Sequence, residues 1–162
     1  MNTLISRSLG AFTDPGLTPT RLPVPLDVVV SHLQSLALLV ARLYVARIFF
    51  MSGLTKLHDW SSTLALFHDV YEVPLLPPTL AAYAGTAGEL VLPVLLVLGL
   101  AGRFAGAGLF VVNLMAALSL MADDFTPVAQ AQHTLWGVLA LAIALFGAGR
   151  WSADRFIRVG GN

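Results

Sequence analysis

The chain has 162 residues, 57% hydrophobic and 11% charged, with nine Lys/Arg against nine Asp/Glu and a mean hydropathy of +0.80. Soluble domains carry about 25% charged residues, and a fold of this size leaves roughly 30% of its chain surface in water. The composition argues against a soluble enzyme, a nucleic-acid binder and a disordered chain, and for one integral membrane domain. No cysteine occurs, so disulfides, iron–sulfur clusters, thiolate metal sites and dithiol chemistry are excluded.

Residues 1–27 hold four prolines, Pro15, Pro19, Pro23 and Pro25, among small polar residues. Leu4-Ile5 is followed at once by Ser6-Arg7-Ser8, which is not the apolar run of a signal peptide. The stretch reads as a flexible, proline-rich cytoplasmic N-terminal tail. Four apolar segments follow, roughly Val28–Gly53, Leu80–Leu100, Phe104–Met121 and Thr134–Gly149. Against the ~20 residues of a membrane span the first is generous, the second fits and the last two are short with polar ends, and in lipid such segments must be helical. Between the first two, Trp60, Leu64, Phe67 and Tyr71 recur at spacings of three and four. This predicts a short helix at the interface with its aromatics among the headgroups. The fold class expected is all-α, a four-transmembrane-helix bundle with a short interfacial helix between the first and second spans. The membrane domain covers 28–157, and a short C-terminal tail covers 158–162.

Four spans put both termini on one side with Arg7, Arg21, Arg103, Arg150, Arg155 and Arg158, opposite Lys56. The positive-inside rule places that side in the cytoplasm of a bacterial inner membrane. Arg150, Arg155 and Arg158 fit an anchor on anionic lipid. Trp60, Trp136 and Trp151 fall near predicted span ends and read as interface anchors.

Arg42, Arg47 and Glu89 fall inside the predicted spans, where a charge persists only when paired or wetted. Arg42 is central in the first span and Glu89 in the second, so a forked guanidinium–carboxylate pair is expected at one depth. Asn113, central in the third span, would complete a buried cluster of Arg42, Glu89 and Asn113. Pro93 lies four residues after Glu89 and removes the donor to the Glu89 carbonyl. That gives Arg42 or water an acceptor, or simply kinks the helix. Arg47 lies about 140° round the helix from Arg42 and about 7.5 Å nearer the outer surface. It either snorkels outward, forms a structural pair or belongs to the site. Gly85, Gly88, Gly102 and Gly106 mark close helix packing. His58 and His68 show no metal-binding spacing, so no metal site is assigned. His133 is expected to hydrogen-bond near the outer edge, with Asp123 or Asp124 as partners.

Three stretches carry a family resemblance. They are Ala41-Arg42 through Phe49-Phe50-Met51-Ser52-Gly53-Leu54-Thr55-Lys56, Gly88-Glu89 through Leu98-Gly99-Leu100-Ala101-Gly102-Arg103, and Phe146-Gly147-Ala148-Gly149-Arg150-Trp151-Ser152-Ala153-Asp154-Arg155. In order and spacing, over roughly 36–157, they resemble the DoxX family of small membrane proteins. The resemblance implies a compact four-helix bundle with Arg42, Lys56, Glu89 and Arg103 at family-like positions. It also implies kinship with subunits of thiosulfate:quinone oxidoreductases and membrane redox complexes. Arg47 and Gln132-His133 depart from the pattern.

The leading functional expectation is a subunit of a redox-linked inner-membrane complex that binds a quinone or small anion at a buried Arg/Glu site. The candidate residues are Arg42, Arg47, Lys56, Glu89, Asn113 and His133, with no catalytic residue assigned. No covalent cofactor is implied; quinone is the candidate ligand. Expected partners are the lipid bilayer and a redox subunit or second copy, with no nucleic acid. A non-catalytic assembly subunit is the alternative, and a small transporter ranks third.

Overall fold

A computed structural model describes residues 24–119, 126–149 and 151–154. The tail up to residue 23, the acidic loop with Asp123 and Asp124, and Arg150, Arg155 and Arg158 lie outside the described residues. The described chain forms five helices and no strand: α1 (Val24–His58), α2 (Trp60–Asp69), α3 (Pro78–Leu98), α4 (Gly102–Ser119) and α5 (Pro127–Phe146). As the apolar segments predict, α1, α3, α4 and α5 are long and apolar enough to cross a membrane.

Two helices depart furthest from the sequence reading, and both matter for the site. The first helix runs from Val24 to His58, past Gly53 at one end and ahead of Val28 at the other. Its 35 residues make it about 52 Å long at ~1.5 Å per residue, well beyond a ~30 Å hydrocarbon core. The last helix starts at Pro127, seven residues before Thr134, because Thr126 caps it by accepting the Ala129 N–H at 3.2 Å. Proline after a Thr cap is a start signal that Gln130, Gln132 and His133 obscure.

The core is formed by Val45, Ala46 and Phe49 of α1, Leu96 of α3, Ala105 and Leu109 of α4, and Ala140 and Ile143 of α5. Valines and leucines such as Val91, Val111, Leu118, Val138 and Leu145 are exposed on the outside, where lipid replaces water. Small residues let the helices approach. A Cβ on Gly106 would stand 2.8 Å from the Ala144 nitrogen and 3.0 Å from the Ala140 oxygen, so α4 and α5 meet backbone to backbone.

The aromatic stripe of α2 turns onto the bundle rather than the headgroups. Phe67 is buried with Ala81 and Ala82 of α3, and Trp60 stacks on Tyr83 with ring centroids 4.8 Å apart. Asp59 caps this helix: Oδ1 accepts the Ser62 N–H at 3.0 Å and the Ser61 hydroxyl at 2.8 Å, and Oδ2 accepts the Ser62 hydroxyl at 2.6 Å. Chiefly because of the Ser62 hydrogen bonds, the Asp59 pKa falls to about 2. A depressed carboxylate pKa stabilises the folded form above the unfolded value, near 3.9, and that contribution is lost as pH falls through the folded value. The protection factor of the Ser62 amide, corrected for the intrinsic pH dependence of exchange, should therefore fall between about pH 4 and pH 2. Asp59→Ala should abolish that fall; an unchanged protection profile in the variant would remove the cap from the explanation.

At the opposite end, the segment after α5 folds back over the α3–α4 turn. Gly99 closes α3 at φ +70, and a Cβ there would meet the Arg42 Nη2 at 2.9 Å and Ser152 at 2.7 Å. Asp154 starts α4: its two oxygens accept the N–H groups of Ala101 and Gly102 at 2.7 and 2.8 Å. Arg42, 1% exposed, sits in the middle. Nε donates to the Leu96 carbonyl at 2.9 Å, Nη2 to Val97 at 3.1 Å, and Nη1 to Ala148 and Trp151 at 2.6 and 3.0 Å. A helix ends in carbonyls without intrahelical donors and with partial negative charge, and Arg42 supplies both the donors and the charge. Arg42→Met should remove the donor from the Val97, Ala148 and Trp151 carbonyls, leaving Leu96 only the Gly99 N–H, and lower stability by about 3 kcal/mol or more. Thermal unfolding in mild detergent measures this, and a wild-type melting temperature would contradict the clamp.

Candidate functional site

The expected Arg42–Glu89 pair does not form. Every Arg42 hydrogen bond among the described residues goes to a backbone carbonyl, and Glu89 is held by Lys56 and Ser52. The reason is register. Antiparallel packing sets Arg42 level with Leu96 and Val97, and Ser52 level with Glu89. The ten-position separation of Arg42 and Ser52 amounts to about 15 Å along α1. The bundle uses the second half of α1, whose centre is near Ser52 rather than Arg42.

Lys56 lies in the last turn of α1, not in the outer link. A helical Cα–Cβ bond tilts toward the N-terminus, which carries the ammonium back toward Ser52 and across to α3. Its Nζ donates to Glu89 Oε2 at 2.6 Å, to Oε1 at 2.8 Å and to the Ser52 hydroxyl at 3.0 Å. The Ser52 hydroxyl in turn donates to Oε1 at 3.3 Å. Glu89 is 6% exposed. Gly53 permits the approach: a Cβ there would meet Leu90 at 2.9 Å and the Glu89 Cβ at 3.1 Å.

Asn113 also leaves the expected cluster. It faces α5, where Nδ2 donates to the His133 carbonyl at 2.9 Å and Oδ1 lies 3.0 Å from His133 Nδ1. With the amide nitrogen turned to the carbonyl, Oδ1 is the acceptor, so Nδ1 carries the ring proton it donates. Gly137 makes room, since a Cβ there would stand 3.0 Å from Asn113 Nδ2. Asp123 and Asp124, named as His133 partners from sequence, lie outside the described residues.

These two pairs border one cavity of about 420 Å³, within the ~300–1,000 Å³ usual for small-molecule sites. Ser52, Lys56, Glu89, Ser119, His133 and Trp136 supply its polar edge; Ile48, Phe49, Val112 and Met115 are among its apolar walls. Phe67, Tyr71, Val73 and Leu76 close it from the α2 side. That cover is tied down by the Glu72 N–H donating to the Ser119 carbonyl at 3.2 Å. Trp136 is not an interface anchor. It lies in the middle of α5, packed edge-on against Phe49 and His133 with centroids 6.2 and 5.1 Å away. Its buried indole N–H has no hydrogen-bond partner among the described residues. The sequence reading misplaced it by starting the helix too late; the His133–Trp136 spacing of three was the available signal.

Of the six candidates, Lys56, Glu89 and His133 line the cavity, Asn113 holds His133, and Arg42 and Arg47 lie elsewhere. Arg47 is exposed on the outer face of α1.

The DoxX family model matches residues 37–122, just over half of the chain. The chain belongs to the DoxX family. The match takes in Arg42, Lys56, Glu89 and Asn113 and stops before His133 and Trp136. A protein of Haemophilus influenzae described as uncharacterized is 30% identical over 130 residues, covering 77% of this chain and 85% of the relative. No solved structure matches.

In this DoxX protein the Lys56–Glu89 pair joins a buried carboxylate to a partly exposed ammonium, and its halves cannot be removed singly without penalty. Lys56→Met should destabilise by about 3–5 kcal/mol, the scale for a stranded buried charge. Adding Glu89→Gln should recover most of that loss. Equal melting temperatures for the single and double variants would show that the two groups do not depend on each other.

Proposed function

We propose that this DoxX protein is the membrane subunit of a redox-linked complex and that its cavity holds a quinone headgroup. The observation that carries the reading is the mostly apolar cavity with Lys56, Glu89 and His133 on its polar edge; Trp136 also lines it, and its indole N–H is buried without a partner among the described residues. An unpaired buried N–H costs about 1–3 kcal/mol, and a carbonyl oxygen on an apolar ring offsets that cost once the indole turns toward the cavity. Lys56 and Glu89 neutralise each other, which favours a neutral carbonyl over the small anion. Apolar walls suit an isoprenoid tail. Glu89, held by Lys56 and Ser52 at the same wall, is positioned to exchange protons with the reduced headgroup; a partner subunit supplies the electrons. The arginine excess on the Gly99 side supports a bacterial inner membrane with both termini cytoplasmic. The alternative, an assembly subunit without a reaction, draws on the exposed apolar residues Leu26, Val29, Leu33 and Leu36 of α1.

The test is equilibrium binding of a short-chain ubiquinone to the protein in nanodiscs. Saturable binding is expected, weakened about 2- to 12-fold in Trp136→Phe, the ratio for one hydrogen bond of ~0.5–1.5 kcal/mol. Excess thiosulfate should not compete. Absence of saturable binding, or equal affinity in the variant, would overturn the quinone reading.

A further inference from the structure

Arg47 is unused by the cavity and by the clamp at Gly99. It is exposed and has no ion pair or hydrogen bond among the described residues. It lies five residues from Arg42 on α1, about 7.5 Å deeper than the clamp and still in the half of the bundle nearer Gly99. Because the Cα–Cβ bond tilts toward the helix N-terminus, the side chain is aimed at the headgroups on the Gly99 side. From the bundle centre, that is the direction in which an arginine snorkels.

Beside Arg47 an apolar groove of about 280 Å³ runs between α1 and α3. Leu43 and Phe50 form one wall, Val94 and Val97 the other, and Ala46 and Pro93 lie between. A cation lining an open apolar groove between two membrane helices has the two chemistries of one ligand class: a phosphate headgroup and an acyl chain. The guanidinium fork matches phosphate oxygens bidentately.

We infer that the α1–α3 groove is a binding site for an anionic phospholipid of the leaflet on the Gly99 side, with Arg47 on its phosphate and an acyl chain along Val94 and Val97. A second copy of this chain is a poorer occupant, because a two-fold axis along this face of α1 would bring two Arg47 guanidinium groups together. The site is separate from the quinone cavity, and its test does not depend on that reading.

The test uses the full chain in nanodiscs of phosphatidylcholine with phosphatidylglycerol, reading the lipid retained by native mass spectrometry. Wild type should retain phosphatidylglycerol over phosphatidylcholine, with about fivefold of that preference due to Arg47, the share of one arginine at a membrane surface. Arg47→Gln should lower the preference by that factor. Val94→Phe, which fills the groove with Arg47 intact, should lower retention of the anionic lipid. Arg103→Gln, exposed at the same end but outside the groove, should keep it, and inorganic phosphate should not displace the lipid. Four results would overturn the proposal: no preference in wild type, an undiminished preference in either groove variant, loss of the preference in Arg103→Gln, or displacement by inorganic phosphate. So would a co-purifying membrane protein whose carboxylate cross-links at position 47.

Discussion

A charge inside hydrocarbon persists only if the protein or a headgroup answers it, and the first helix carries three cations that are answered in three ways. Arg42 spends its donors on the carbonyls at the end of α3 and in the closing segment. Lys56 spends its donors on Glu89 and Ser52. Arg47 has no answer within the described chain and faces outward. Arg42 and Lys56 are four turns apart, on nearly the same face of α1 and separated by about 21 Å along it. One face of one helix thus fixes both ends of the bundle: the turn at Gly99 and the polar wall of the cavity.

The two ends differ in what they leave over. Around Arg42 the donors and acceptors are matched and the segment after α5 packs down on the turn, so that end reads as architecture. At the α2 end the charges are matched too, but space remains and so does one indole N–H. Interiors are close-packed as a rule, and a cavity bordered by two polar pairs and closed by a tethered link is where a ligand finds both room and specificity. The functional proposal rests on that asymmetry.

Helix count, the short α2 and the family were legible from apolar run length and three motifs, because lipid forces every spanning segment into a helix. The site was legible only in part. Glu89 and Lys56 stood out as charged residues in family-like motifs. Their pairing did not, because α1 is apolar for longer than a membrane is thick and hydropathy cannot say which half of it joins the bundle. Placing the centre at Arg42 chose the wrong one of two cations on the same face. Trp136 was lost for a related reason: Gln130, Gln132 and His133 made the first turns of α5 look like a loop, so a tryptophan in the middle of a helix was read as sitting at its end. Both errors are errors of register, and register depends on contacts between helices that no single segment encodes.

Solid-state NMR of the isotopically labelled protein in lipid bilayers reads that register directly, through the dipolar contact between a side-chain nitrogen and the Glu89 carboxyl carbon. The structure predicts a cross-peak from the Lys56 ammonium and none from the Arg42 guanidinium. A contact from Arg42, with none from Lys56, would contradict it.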